Sequence, residues 1–441
     1  MRVKFFNFRI SSSNFFNLLL ALIPFSFIAG NLIININILL LILSSLIVFK
    51  KKIIKMKYYF LDKLIFLFFF LIVLTACIND YYLYSQNVTF RGNFASIFNS
   101  FLFQKYLLLY LSVRYLIENN IINLKLFFIT TTAACLFVSF DILYQLINGR
   151  DIFGYKTIVG VRKLGGPFGD ELIAGGFIQR FSFFSFFVLP LFFINTSKKY
   201  LKYVAPIIFF ILFIGIILSG NRMPLILFLF SIFLLFIFHK KIRKYIFLFL
   251  LFFSLIFTTM IFLNKEVSVN FKSFFNRIAT ISTLLVNKEY SNDKAPRYFK
   301  EFSTFYETWK MNKYFGGGVK NFRYYCHVRA NIKKNSEFIC NMHPHNYYLE
   351  ILTETGVIGF ILIITIFLII LFMSFYKKYI SKTSFKENNL IVPFIFLFIA
   401  EIFPIKSTGS FFTTGNTTYL FLIMAILIGL INQNNLIEKK S

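Results

Sequence analysis

Two histidines and an asparagine stand directly ahead of a membrane-length apolar run. They are His343-Pro344-His345-Asn346, followed by YYLEILTETGVIG and the run Phe360 to Phe375. Histidine titrates near neutrality, so one at a membrane–water boundary can act as general base or hydrogen-bonding group toward a substrate hydroxyl. Pro344 favours extended backbone at His343, and Asn346 is a good N-cap for the helix whose apolar periodicity follows it. Glu350 and Glu354 are four apart and share one face of the first turns, where the helix dipole tolerates negative charge. Of the four histidines, His327, His343 and His345 fall within one short stretch. His-x-His spacing permits zinc, but no third strong ligand accompanies it, and no metal is assigned.

The second set of groups is cationic. Arg222 follows Ser219-Gly220-Asn221 between two apolar runs, where an arginine is costly unless it snorkels or meets an anion. Arg297 follows Pro296, Arg323 follows the glycines 316–318, and Arg162 and Arg180 flank GGPFGDELIAGG at 165–176. Arginine forks suit phosphate and pyrophosphate oxygens. Singly, each arginine reads as structural. Together with His345 they place several cations on one face of a membrane, as binding a lipid-linked pyrophosphate requires.

The elements that must position these groups are membrane helices. The chain is 58% hydrophobic, contains 67 Phe and has mean hydropathy +0.71, far above a soluble domain. The expected fold is all-α, a polytopic helical membrane bundle. Twelve spans are expected at 14–30, 32–49, 60–79, 94–116, 125–147, 173–194, 203–218, 223–238, 245–263, 347–373, 390–404 and 416–431. Residues 1–263 carry nine of them, 264–346 form a long external lid, and 347–441 carry the last three. The net charge of +29 is read as topology rather than nucleic-acid binding, since no arginine-rich arm with stacking aromatics is present. Basic clusters at Lys50–Lys57, Lys198–Lys202, Lys240–Lys244 and Lys377–Lys386 fall on one side of that layout. That side is therefore cytoplasmic, and both termini lie on it.

Within the lid, Pro296 is placed to open a helix running to about Tyr314. Phe299, Phe302, Tyr306 and Trp309 form an aromatic stripe, read as packing on the bundle or lying in the interface. Gly316–Gly318 ends the helix and lacks the spacing and preceding strand of a phosphate loop. Cys77 and Cys135 fall within spans as small core residues. Cys326 and Cys340 both fall in the lid, where an oxidising compartment allows a disulfide that would stabilise by ~3 kcal/mol and anchor the backbone before His343; two free thiols are the alternative.

HPHNYYLEILTETGVIGF, preceded by Arg297, Trp309, Gly316–Gly318 and Phe322, resembles the O-antigen ligase and O-antigen polymerase superfamily, and SGNR at 219–222 is similar to that family's short external arginine motif. The resemblance is specific over about 205–375, and FPIKSTGSFFTTGN at 403–416 agrees with it. Tyr314 departs from the pattern, which has a proline there. The resemblance implies a metal-independent, cofactor-free glycosyltransferase of the GT-C type in the bacterial inner membrane. Such enzymes move a glycan from undecaprenyl pyrophosphate to an acceptor hydroxyl on the periplasmic side. By position, Arg222 and Arg297 would hold the pyrophosphate and stabilise its leaving charge, and His345 would activate the acceptor, with His343 as second candidate. Arg162, Arg180, Arg323 and Glu350 are further candidates. The leading expectation is a ligase acting on a lipid A-core acceptor, with a polymerase and a protein O-oligosaccharyltransferase as rivals. A lipid-glycan flippase would instead predict internal repeats and ionisable groups near mid-membrane. No clear repeat is found, and Asp141 and Lys105 are the main ionisable residues deep in spans.

Overall fold

The computed structural model describes residues 2–5, 8–88, 94–156, 164–192, 201–240, 243–263, 268–269, 272–273, 275–276, 279–280, 282–283, 297–328, 340–341, 345–385, 389–407 and 409–438. These residues are overwhelmingly helical. The exception is a short antiparallel hairpin, Arg2–Phe5 with Phe8–Ser11, which leads into the first helix. Ser11 caps that helix, its hydroxyl accepting from the Asn14 amide at 3.2 Å.

Six helices are long and apolar enough to cross a membrane: Ser12–Ala29, Asn31–Phe49, Phe60–Ser85, Lys125–Asn148, Tyr347–Ile380 and Thr414–Asn435. Shorter apolar helices lie at Pro206–Leu218, Arg222–Phe238, Ser254–Leu263 and Val392–Glu401. The run at 94–116 divides at Gln104 into helices Ala95–Phe103 and Lys105–Glu118. The run from 173 begins with helix Ala174–Phe181 and passes through a tight turn, Ser182–Phe184, into Ser185–Phe192. Thr414–Asn435 is 83% buried against 33% for Asn31–Phe49, which puts the C-terminal helix at the bundle's centre and the second helix at its rim.

Aromatic rings fill the core. Phe127, Phe128 and Phe394 all meet Phe184 at centroid distances of 5.0 to 5.1 Å, joining three elements through tilted and edge-to-face contacts. In lipid, where apolar burial no longer drives helices together, such close packing is what holds them. Away from the lid segment, buried Arg114 pairs with Asp62 at 2.5 Å and donates to the Lys57 carbonyl at 2.7 Å, tying Phe60–Ser85 to Lys105–Glu118.

The helix that begins at Tyr347 is broken at Gly356, whose φ of 68° and ψ of −172° are open to glycine. The break opens backbone groups that a regular helix would pair internally. The stretch around the three glycines supplies the missing partners. Gly317 and Gly318 amides donate to the Thr353 and Glu354 carbonyls at 2.8 and 2.9 Å, and the Val357 and Ile358 amides donate to the Lys313 and Tyr314 carbonyls at 2.9 and 3.3 Å. Residues 313–318 are thus spliced into a membrane helix, and they pair the Thr353 and Glu354 carbonyls and the Val357 and Ile358 amides at the break. There is no room for side chains at the splice: a Cβ on Gly356 would stand 2.1 Å from the Tyr314 carbonyl oxygen. Tyr314 contributes here through its main chain.

The helix expected to open after Pro296 is shorter than expected. It spans Arg297–Trp309 and tightens into a 3-10 turn, Lys310–Asn312. Its buried face carries Glu301, Thr304, Phe305 and Thr308, so the aromatic stripe lies one step round, with Tyr306 47% exposed. Phe305 stacks on Phe322 at 3.6 Å beside a disulfide joining Cys326 to Cys340. Asn79 and Ser96 fasten this unit to the bundle: Asn79 donates to the Gly316 carbonyl at 2.9 Å and accepts from the Tyr325 hydroxyl at 3.0 Å, and Ser96 donates to the Val319 carbonyl at 3.1 Å.

Candidate functional site

Asn346 caps the broken helix as the sequence leads one to expect. Its Oδ1 accepts from the Tyr348 and Leu349 amides at 3.0 and 3.1 Å. Its Nδ2 reaches across to the Pro404 carbonyl at 2.8 Å and the Lys406 carbonyl at 3.3 Å, joining the histidine motif to the 403–416 loop. His345, one residue earlier, has φ 55°, a left-handed conformation uncommon outside glycine. Backbone held in such a state concentrates at functional sites.

At the first position of the helix, Tyr347 enters a buried charge cluster centred on Glu401, the last residue of Val392–Glu401. Lys406 Nζ lies 2.6 Å from Glu401 Oε1, Arg180 Nη2 lies 2.8 Å from the same oxygen, and the Tyr347 hydroxyl donates to it at 2.5 Å. Arg180 also uses Nε toward Glu401 Oε2 at 3.2 Å and Nη2 toward Asn416 Oδ1 at 2.6 Å. Its guanidinium lies over the Tyr419 ring at 5.1 Å. Two cations share one carboxylate, leaving a surplus positive charge. Burial pushes the Lys406 ammonium down to about 8, against the pull of Glu401 in the other direction.

The helix bearing Arg180, Ala174–Phe181, also sets the SGNR turn. A Cβ on Gly175 would stand 2.4 Å from Ser219 Oγ and 2.7 Å from Asn221 Cβ, so only glycine lets the turn approach. Gly175 and Arg180 are five residues apart, roughly 8 Å along the axis. The turn and the start of the broken helix are therefore gathered by one short helix. Arg222 opens helix Arg222–Phe238, and its Nη2 donates to Ser273 Oγ.

Glu350 accepts from Ser410 Oγ at 2.6 Å and from the Phe411 amide at 2.5 Å. With both oxygens so engaged, it anchors the loop that carries Lys406. Phe411 then packs inward against Tyr347 and Phe68 at 5.7 and 6.0 Å. Glu354, one turn on, is also buried.

Of the residues singled out in the sequence, the structure thus brings Arg180 and Glu350 to the same helix start as His345, and sets the Arg222 turn against Arg180's helix. Arg180, read from sequence as a candidate for pyrophosphate, is held by Glu401. Arg323 lies in the short helix Phe322–Val328 that follows the glycines. Arg162 and His343 lie outside the described residues; Arg297 opens the lid helix, and its side chain also lies outside them. Sequence reading missed Glu401, Lys406 and Tyr347. The signal for Glu401 was there, an acidic residue ending the apolar run FIFLFIAE, where ionisable groups mark function.

No curated protein matches the chain. Residues 207–364 match the family model described as O-antigen ligase, a stretch running from before the SGNR turn through the lid segment and the break at Gly356. This match supports membership of the O-antigen ligase superfamily, and the long apolar helices are those of a multi-pass membrane protein.

Proposed function

We propose that this protein is an O-antigen ligase-type glycosyltransferase. It transfers a glycan from undecaprenyl pyrophosphate to a lipid A-core acceptor at the periplasmic face of the inner membrane, in a bundle of about twelve spans with both termini cytoplasmic. The observation that carries the reading is the family match across 207–364, which contains Arg222, Arg297, His343 and His345. Displacing a pyrophosphate from a sugar carbon builds negative charge on the leaving oxygens, and fixed cations stabilise that charge without a metal. Arg222 and Arg297 take that role. His345 accepts the acceptor hydroxyl's proton or orients it, with His343 as its alternate. The surplus positive charge around Glu401, Arg180 and Lys406 adds attraction for the same anion.

The test is transfer by purified protein in EDTA from undecaprenyl-pyrophosphate glycan, offered lipid A-core and a second lipid-linked repeat unit in separate reactions. Product on lipid A-core alone supports the ligase. Chain extension instead makes the protein a polymerase using the same residues, and loss of all product in EDTA contradicts the metal-independent chemistry.

A further inference from the structure

The Glu301, Thr304, Phe305 and Thr308 face of helix Arg297–Trp309 turns inward, where Phe305 and Phe322 pack near Leu349 of the broken helix. The chain that leaves the helix does the opposite. Met311 is 42% exposed, Tyr314 69% and Phe315 42%, and Tyr306 on the helix itself is 47% exposed. Large exposed side chains clustered in one short run mark a contact surface. The splice fixes its height. The Lys313 and Tyr314 carbonyls accept from the Val357 and Ile358 amides at 2.9 and 3.3 Å, so the run lies against the membrane helix at those residues.

Ile358 is the first of four exposed side chains on one face of that helix. Ile361, Leu368 and Phe372 follow at intervals of three, seven and four residues. Such an uncovered apolar stripe on a membrane-crossing helix faces lipid. Lys377 and Lys378 close the helix at its other end. Roughly 20 residues back from Lys377, about 30 Å at 1.5 Å each and the thickness of a hydrocarbon core, stands Val357. The splice therefore lies at the hydrocarbon edge, and Tyr314 and Phe315 carry the lipid-facing stripe past the break at Gly356. The residue types suit that level. Tyr and Trp rings sit at membrane–water interfaces with their polar tips in the headgroups. The Lys313 carbonyl that accepts from Val357 also accepts from Trp309 Nε1 at 3.0 Å, which ties the indole to the splice. Exposed Lys310 and Lys313 stand among these rings, where an ammonium snorkels to the headgroups.

We propose that residues 306–315 are an interfacial anchor whose partner is the lipid of the leaflet beside the splice. Tyr306, Trp309, Met311, Tyr314 and Phe315 enter that leaflet at the boundary of headgroups and tails. Helix Arg297–Trp309 is thereby seated on the bilayer as well as on the broken helix. This contact is independent of the glycan chemistry proposed above.

Trp309 is the single tryptophan of the chain, so its fluorescence reports on this run alone. The full chain is placed in phosphatidylcholine nanodiscs whose acyl chains carry bromine either near the headgroup or near the methyl end. Iodide serves as the quencher from water. Bromine near the headgroup should quench Trp309 several-fold more than bromine near the methyl end, and iodide should quench it several-fold less than free tryptophan. The double variant Trp309→Phe with Phe315→Trp moves the probe along the run, with thermal unfolding recorded, and should give the same order of quenching. The wild-type measurement needs no substitution and carries the test if that variant does not fold. Quenching by iodide without quenching by either brominated lipid would overturn the proposal, because the run would then stand in water. Protection from all three quenchers, in particles that hold two copies of the chain, would also overturn it and assign the surface to a second copy. Lipid quenching at only one of the two probe positions in folded protein would overturn a continuous anchor.

Discussion

Glu401 answers two cations and a phenol with one carboxylate. Glu401→Gln would leave Arg180 and Lys406 facing each other in a buried site. Removing one partner of a buried ion pair costs ~3–5 kcal/mol, so thermal unfolding of this variant should shift strongly downward, and an unshifted midpoint would show that the cluster contributes little. The lysine in the cluster also has a pH signature. Its folded-state value, about 8, lies below the ordinary lysine value of 10.5, so the folded protein releases this proton first. This group's contribution to stability therefore rises as pH climbs from about 8 toward 10.5, while the positive charge available to an anion falls. Glycan transfer should decline as pH passes about 8, and Lys406→Arg, which stays charged, should extend the plateau upward. An alkaline limb identical in the two proteins would separate Lys406 from anion binding. At this scale the sequence was legible where a residue works on its neighbours. Asn346 was readable as an N-cap because its partners are two and three residues away, whereas Arg180 and Glu401 are 221 apart and nothing local announces their pairing.

The break at Gly356 makes two elements depend on one another, because the membrane helix and the glycine stretch each complete the other's backbone hydrogen bonds. Gly356→Ala forces a Cβ against the Tyr314 carbonyl in a backbone state that an L side chain rarely adopts. The left-handed cost alone is ~1–2 kcal/mol and the clash adds to it, so the splice should open and the 297–328 segment become sensitive to limited proteolysis. Unchanged cleavage would contradict the splice as its main attachment. The Cys326–Cys340 bridge acts on the same unit from its far side. Cys326→Ser should lower the segment's stability by ~3 kcal/mol in the chain-entropy model, seen as faster lid cleavage with the membrane helices still protected. Rates equal to wild type would mean that Phe305 stacked on Phe322 already suffices. The element scale also shows where sequence reading stops. Pro296 and the glycines marked the lid helix to within a few residues, but a stop signal does not reveal that the stopped chain enters another helix. Nor did the stripe of Phe302, Tyr306 and Trp309 predict the buried face, which small and polar residues share with Phe305.

Across the whole molecule, hydropathy was enough to recognise a helical membrane protein, since runs of apolar residues leave few other outcomes in lipid. Hydropathy did not anticipate that 94–116 would divide at Gln104, because a kink without proline or glycine leaves composition unchanged. The candidate site was legible as motifs, SGNR and HPHN; their convergence was not, since it depends on Gly175 admitting the SGNR turn and Arg180 reaching the helix start. In the proposed mechanism Arg222 holds the donor's pyrophosphate and His345 handles the acceptor. The most direct test is single-turnover transfer to lipid A-core by purified wild type, His345→Ala and Arg222→Ala, with undecaprenyl-pyrophosphate glycan binding measured in parallel. His345→Ala should keep donor affinity and lose transfer by at least ~100-fold, while Arg222→Ala should lose both. Transfer undiminished in His345→Ala, or donor affinity undiminished in Arg222→Ala, would contradict it.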